Sequence, residues 1–233
     1  MQGTVLGARA CQGKRRKLNL SGESTMSKCN TESNIWRNNV VKCALGYANH
    51  LWKPSSINSY HGYDEDGILV NTPDSGYKSS KYNCGWWLMD QFNKGIPYNW
   101  GGCSTIVDFS EGIMAGKYAG NVPDSRENGI CKNCVGVDCS GLVTICWELK
   151  NRLYTKTIPA IASPLKSMDL LLPGDVILLP GSHVMIFIDF INDRKTSVQI
   201  VDASRSTGRV MLRTVLLSYL SGNGYIGYRK NDL

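Results

Sequence analysis

Gly136-Val137-Asp138-Cys139-Ser140-Gly141-Leu142-Val143 sets one cysteine between small residues and an apolar run. Leu142, Val143, Ile145, Cys146 and Leu149 keep helical spacing with few polar positions between them, which predicts a buried helix. Asp138 is a favoured cap residue, so Cys139 becomes the first residue of that helix and faces the positive end of its dipole. A cysteine attacks as its thiolate, and a helix N-terminus or a protonated histidine promotes ionisation. The Asp138 carboxylate opposes it, so the dipole alone is not enough. A nucleophile here needs a histidine.

Only three histidines are present, and His183 is the one in a strand pattern, after the turn Pro180-Gly181-Ser182. Taken alone, a histidine flanked by Val184 and Ile186 is more often a satisfied structural residue than a catalytic one. The following hairpin bears on the choice. If its turn centres on Asn192-Asp193, Asp202 lies directly opposite His183, where cross-strand Cβ atoms are about 5 Å apart. A four-residue loop, Asn192 to Lys195, leaves Asp202 diagonal to His183 on the same face, whereas a three-residue loop puts them on opposite faces. In the first two registers a carboxylate can orient the imidazole, completing a nucleophile, base and orienter set.

Outward from this stretch the pattern is helices first and sheet second. Ile35, Trp36, Val40, Val41, Ala44, Leu45, Ala48 and Leu51 predict an amphipathic helix from Ser33 that ends before Pro54. Residues 55–94 are irregular, with an apolar run Ile68-Leu69-Val70, and Trp86-Trp87 precede a short helical pattern ending at Gly95. Adjacent tryptophans suit either a groove or the core. A helix is expected from Ser104 to Met114, followed by a Gly-, Asn- and Pro-rich loop to Val137 that should form one wall of the site. Asp175–Leu179, His183–Ile191, Ser197–Ala203, Arg209–Val215 and Tyr225–Arg229 read as strands separated by turns. The fold class is α+β.

Pro97-Tyr98-Asn99-Trp100-Gly101-Gly102, Asp138-Cys139-Ser140-Gly141-Leu142-Val143, Pro173-Gly174-Asp175-Val176, His183-Val184-Met185-Ile186 and Asp202-Ala203-Ser204 resemble, in order and character, the NlpC family of papain-like cysteine peptidases. The resemblance implies a papain-like fold, with the cysteine helix packed on a small antiparallel sheet or barrel. It also implies cleavage of peptidoglycan stem peptides, often at the γ-D-glutamyl to diamino-acid bond. Cys139 is then the nucleophile, His183 the base and Asp202 the third, polar member, with Tyr98 near the thiol. Many relatives carry histidine at the third position, so Asp202 departs from the commonest form. Trp100, Gly101, Gly102 and Ser140 join Tyr98 as candidate substrate or oxyanion residues. Tyr98 reads equally as packing beside Trp100, and Ser140 as a small residue needed by the helix. Asp175 is read as a turn residue without chemistry. An amidase, transpeptidase or acyltransferase, or a silent wall-binding module, is the alternative, because a fold does not fix the acyl acceptor.

This places a catalytic domain at 97–233, preceded by a packing segment at 33–96 and a flexible basic tail at 1–32. The tail holds much of the charge. Of the net +7, residues 1–30 carry +5, so the rest is nearly neutral and a nucleic-acid partner is disfavoured. No stretch is long and apolar enough to span a membrane, and Met1 to Leu20 lacks the apolar run of a secretion signal. The family resemblance nonetheless favours work outside the cytoplasm or at the cell wall. Nine cysteines leave at least one unpaired. Cys131 and Cys134 suit a structural disulfide, plain thiols, or zinc with Cys84 or Cys103, while Cys43 and Cys146 read as small buried hydrophobes. The proposed chemistry requires no metal or organic cofactor.

Overall fold

A computed structural model describes residues 21–79, 81–82, 85–125 and 129–231, with the backbone alone for 21–30. The Lys14–Lys17 basic run and Cys84 lie outside the described residues. The chain is mixed α+β, and its main element is a six-stranded antiparallel sheet. Its strands are β1 (Ala162–Pro164), β2 (Val176–Leu179), β3 (His183–Phe190), β4 (Ser197–Ser204), β5 (Arg209–Leu216) and β6 (Ile226–Lys230). They lie in the order β5-β4-β3-β2-β6-β1.

Both faces of the sheet are covered, so the middle strands are apolar almost without alternation. Val184, Ile186, Val201 and Ala203 belong to one cluster, while Met185, Phe187, Val198 and Ile200 belong to a second. The first receives helices α1 (Ser21–Asn49) and α3 (Cys139–Cys146). There Leu142 and Val143 of α3 meet Val40 and Ala44 of α1 in one core. The second is closed by Leu220 from α4 (Leu217–Gly222). Helix α2 (Ile106–Met114) starts under a Thr105 cap whose side chain accepts from the Asp108 N–H. No helix among the described residues is long and apolar enough to cross a membrane.

Two elements differ from the sequence reading. Helix α1 begins at Ser21 rather than near Ser33, so helix already covers 21–32. No helix follows Trp87. The Asn93 side chain accepts from the Leu88 N–H and donates to the Leu88 and Gln91 carbonyls, closing a turn where the pattern suggested a helix. Trp87 is fully buried and Trp86 packs edge-on to Trp52, which places both tryptophans with the packing and away from the cleft.

The N-terminal segment is tied to the sheet by charge as well as by packing. Asp175, just before β2, is 0% exposed. Arg37 of α1 donates to its Oδ1 at 2.8 Å, and Arg229 of β6 reaches its Oδ2 at 2.7 Å. The residue read as a plain turn thus joins three distant parts of the chain.

Candidate active site

Asp138 caps α3 as its residue type dictates: its Oδ1 accepts from the Gly141 N–H at 2.7 Å and from the Ser140 hydroxyl at 3.0 Å. Cys139 is therefore the first helical residue. At that position its N–H has no carbonyl within the helix to donate to. The other carboxylate oxygen of Asp138 accepts from Arg152 Nη2 at 2.6 Å and from the Gly101 N–H at 3.2 Å. Arg152 supplies a counter-charge that the sequence reading did not find, so the carboxylate beside the thiol is neutralised.

The first turn of α3 also sits hard against the Tyr98–Gly102 loop. The Asp138 N–H donates to the Gly102 carbonyl at 3.1 Å. A Cβ on Gly141 would run into that same carbonyl, and one on Gly102 would meet the Gly136 carbonyl. Two backbones approach here more closely than side chains permit. Gly102 consequently supports the helix from behind and is not among the residues that line the cleft.

His183 opens β3, and its Nε2 lies 2.7 Å from Asp202 Oδ2. The loop that leads to this pairing is not one considered above, although the register reached at the site is that of the four-residue case. The loop joining β3 to β4 runs Asn192–Thr196, closed by a bond from the Ile191 N–H to the Ser197 carbonyl. Phe190 then pairs Val198 and Asp189 pairs Gln199, which taken alone would put His183 and Asp202 on opposite faces. A β-bulge between Gln199 and Ile200 shifts the register, so that Phe187 pairs Ile200 and Ile186 pairs Val201. Ile188 is the extra residue. Past it, Asp202 is diagonal to His183 on one face, where the two side chains meet.

Behind them stands Arg213 of β5, donating from Nε to Asp202 Oδ1 at 2.9 Å and from Nη2 to Oδ2 at 2.7 Å. Asp202 is 0% exposed. Burial works against its charge, but His183 and Arg213 hold its pKa below the usual carboxylate value. Burial likewise disfavours the His183 imidazolium. The hydrogen bonds to Asp202 and to Cys139 outweigh that penalty and raise the histidine pKa to about 10. Thiol, imidazole and carboxylate therefore form one connected set.

The cleft over Cys139 has a volume of about 300 Å³. Tyr98, Trp100, Gly101 and Ser140 line it with Cys139 and His183. Tyr98 is buried, and that burial, with the nearby Cys139, pushes its phenol well above its ordinary pKa. Ser140 spends its hydroxyl on the Asp138 cap. Ile130 from the long loop forms part of the wall, as expected of that segment. Tyr82, Tyr154 and Arg205 also line the cleft, although the sequence reading passed over them.

The remaining cysteines sort by distance. Cys131 and Cys134 form a disulfide, one of the readings left open above. Cys43 and Cys146 face each other across α1 and α3 with sulfurs 2.7 Å apart. Cys43 is half-buried, which is less enclosed than the hydrophobe expected there. Cys103 sits behind the α3 terminus, its Sγ 3.7 Å from the Gly141 carbonyl, and burial pushes its thiol up.

Comparison with protein-family models, curated proteins and solved structures finds no match for this chain.

Proposed function

We propose that the protein is a papain-like cysteine hydrolase that cuts amide bonds in peptidoglycan stem peptides, with Cys139, His183 and Asp202 as its catalytic set. The observation carrying this reading is the 2.7 Å bond between His183 and Asp202, made in a histidine that lines the same cleft as a helix-first cysteine. Cys139 and His183, from two separate elements, meet in one cleft, and Asp202 backs His183 from a third. The substrate class rests on the resemblance of the five motifs to the NlpC family.

In this reading the thiolate of Cys139 attacks the amide carbonyl, and the bond to the leaving amine breaks as His183 gives that nitrogen a proton. A thioacyl enzyme remains. Water, deprotonated by His183, then attacks the thioester and expels the Cys139 thiolate. The helix-terminal N–H of Cys139 is positioned to donate to the oxyanion, with the Tyr98 hydroxyl as the second donor. A histidine with pKa near 10 holds its proton at neutral pH, ready for the departing amine. Arg213 keeps Asp202 ionised, and Asp202 keeps the imidazole turned toward sulfur.

Digestion of purified muropeptides by the intact protein and by Cys139→Ala, compared by mass spectrometry, tests the proposal. New fragments differing by one water, absent with Cys139→Ala, are expected. If the intact protein cuts no stem peptide, an amidase or acyltransferase acting on another acyl donor becomes the better reading.

A further inference from the structure

Arg205 follows directly on β4 and belongs to the wall of the cleft, yet the catalytic set makes no use of it. It is held in place from several sides. Its guanidinium lies over the Trp100 ring at 4.7 Å and faces the Tyr82 ring at 5.7 Å. Its Nη1 donates to the Pro123 carbonyl at 3.1 Å and to the Tyr82 hydroxyl at 3.4 Å. Tyr98 and Cys139 line the same cleft.

The other charges of the cleft are already matched. Asp138 is paired with Arg152, and Asp202 with His183 and Arg213. Arg205 makes no ion pair among the described residues, although its side chain is ordered by two aromatic rings and a carbonyl. A guanidinium carries five N–H donors in a fixed fork suited to a carboxylate, and here the fork is pre-oriented by stacking. The bonds in place leave much of that fork open to the cleft. Ser204 and Ser206, whose hydroxyls are 2.8 Å apart, stand beside it on the same wall and can add neutral donors.

We infer that Arg205 is a specificity-determining residue that binds a carboxylate carried by the substrate close to the scissile amide. This rests on the hydrolase reading and narrows it. A glutamyl residue linked through its side-chain carbonyl keeps its α-carboxylate free, separated from the reacting carbonyl by a short aliphatic stem. That is the charge Arg205 is placed to read, and the carboxamide form of the same residue lacks it.

Binding, rather than turnover, tests this directly. The probes are L-Ala-γ-D-Glu-diamino-acid tripeptide and the same peptide with its glutamyl α-carboxylate converted to carboxamide. Each is titrated by calorimetry into Cys139→Ala protein, alone and combined with Arg205→Gln or Arg205→Lys. The carboxylate peptide should bind at least about tenfold more tightly than the amide, the scale of a charge-assisted hydrogen bond. That gap should nearly vanish in Arg205→Gln and partly survive in Arg205→Lys. Equal binding of the two peptides, binding of neither, or a gap that persists in Arg205→Gln overturns the inference. Carboxylate-dependent binding by a protein whose intact form cleaves nothing would sink the hydrolase reading and leave this one standing. Cleavage of both peptides without any Arg205-dependent gap would do the reverse.

Discussion

Arg213 holds Asp202 by both carboxylate oxygens, and the oxygen it bonds at 2.7 Å is the one that His183 also approaches to 2.7 Å. Asp202→Asn keeps the volume but removes the charge that both neighbours answer. His183 should then lose the partner that raises its pKa, and Arg213 should be left beside a neutral amide. We expect turnover to fall on the order of 10²- to 10⁴-fold, in line with the loss of an orienting carboxylate in other triads. The His183 ring, followed by NMR titration, should lose its proton well below the wild-type value of about 10.

The same pair sets a pH window for stability. His183 is raised to about 10 in the folded chain, against about 6.5 unfolded. Its contribution is complete below about pH 6.5 and drains away as pH rises toward 10. Asp202 is lowered, so its contribution is complete above about pH 4 and is lost on acidification. Urea midpoints of the wild type should fall between pH 6.5 and 10, and His183→Gln should show a flatter alkaline limb. An unchanged slope in that variant would remove His183 from this account.

Arg152 predicts a third result. Replacing it with Met leaves the Asp138 carboxylate partly buried without its counter-charge, 2.6 Å from where the guanidinium stood. Stability should fall by about 2 kcal/mol, less than for a wholly buried pair because Arg152 is partly exposed. Alkylation of Cys139 by iodoacetamide at pH 7 should slow, since an uncompensated negative charge then faces the sulfur. Asp138→Asn combined with Arg152→Met should recover part of the lost stability.

Arg37 offers a test far from the cleft. Arg37→Met removes one of the two cations that neutralise fully buried Asp175. Because Arg229 still neutralises the carboxylate, a loss of about 1.5–3 kcal/mol is expected, visible in the urea midpoint. Arg37→Lys, which keeps a cation against Asp175, should return part of it.

Much of the candidate site was legible because its members follow local rules. Asp138 and Cys139 follow from capping, and His183 from the turn before it. Asp202 was paired correctly for a reason that could not be seen. The loop actually present gives the wrong parity, and the bulge at Ile188 restores it. Nothing in Val184–Ile188 marks the bulge, because both faces of β3 are buried and its apolar run carries no alternation from which to read register. Arg213 was within reach of the same reckoning. Asp202 pairs Met211 across the next hairpin, so a residue two further along β5 shares its face. Arg152 was not, since it meets Asp138 only after the chain leaves α3 and turns back. The supposed helix after Trp87 failed because one side chain, Asn93, satisfied three backbone groups at once.

Asp175 receives Arg37 from the first described helix and Arg229 from the last strand, so one carboxylate serves both ends of the fold. Neither end can then fray without exposing the counter-charge of the other, and α1 and β6 should open as a single cooperative unit. In native-state hydrogen exchange the amides of Val40–Ala44 and of Gly227–Arg229 would share one opening free energy, despite lying at opposite ends of the sequence.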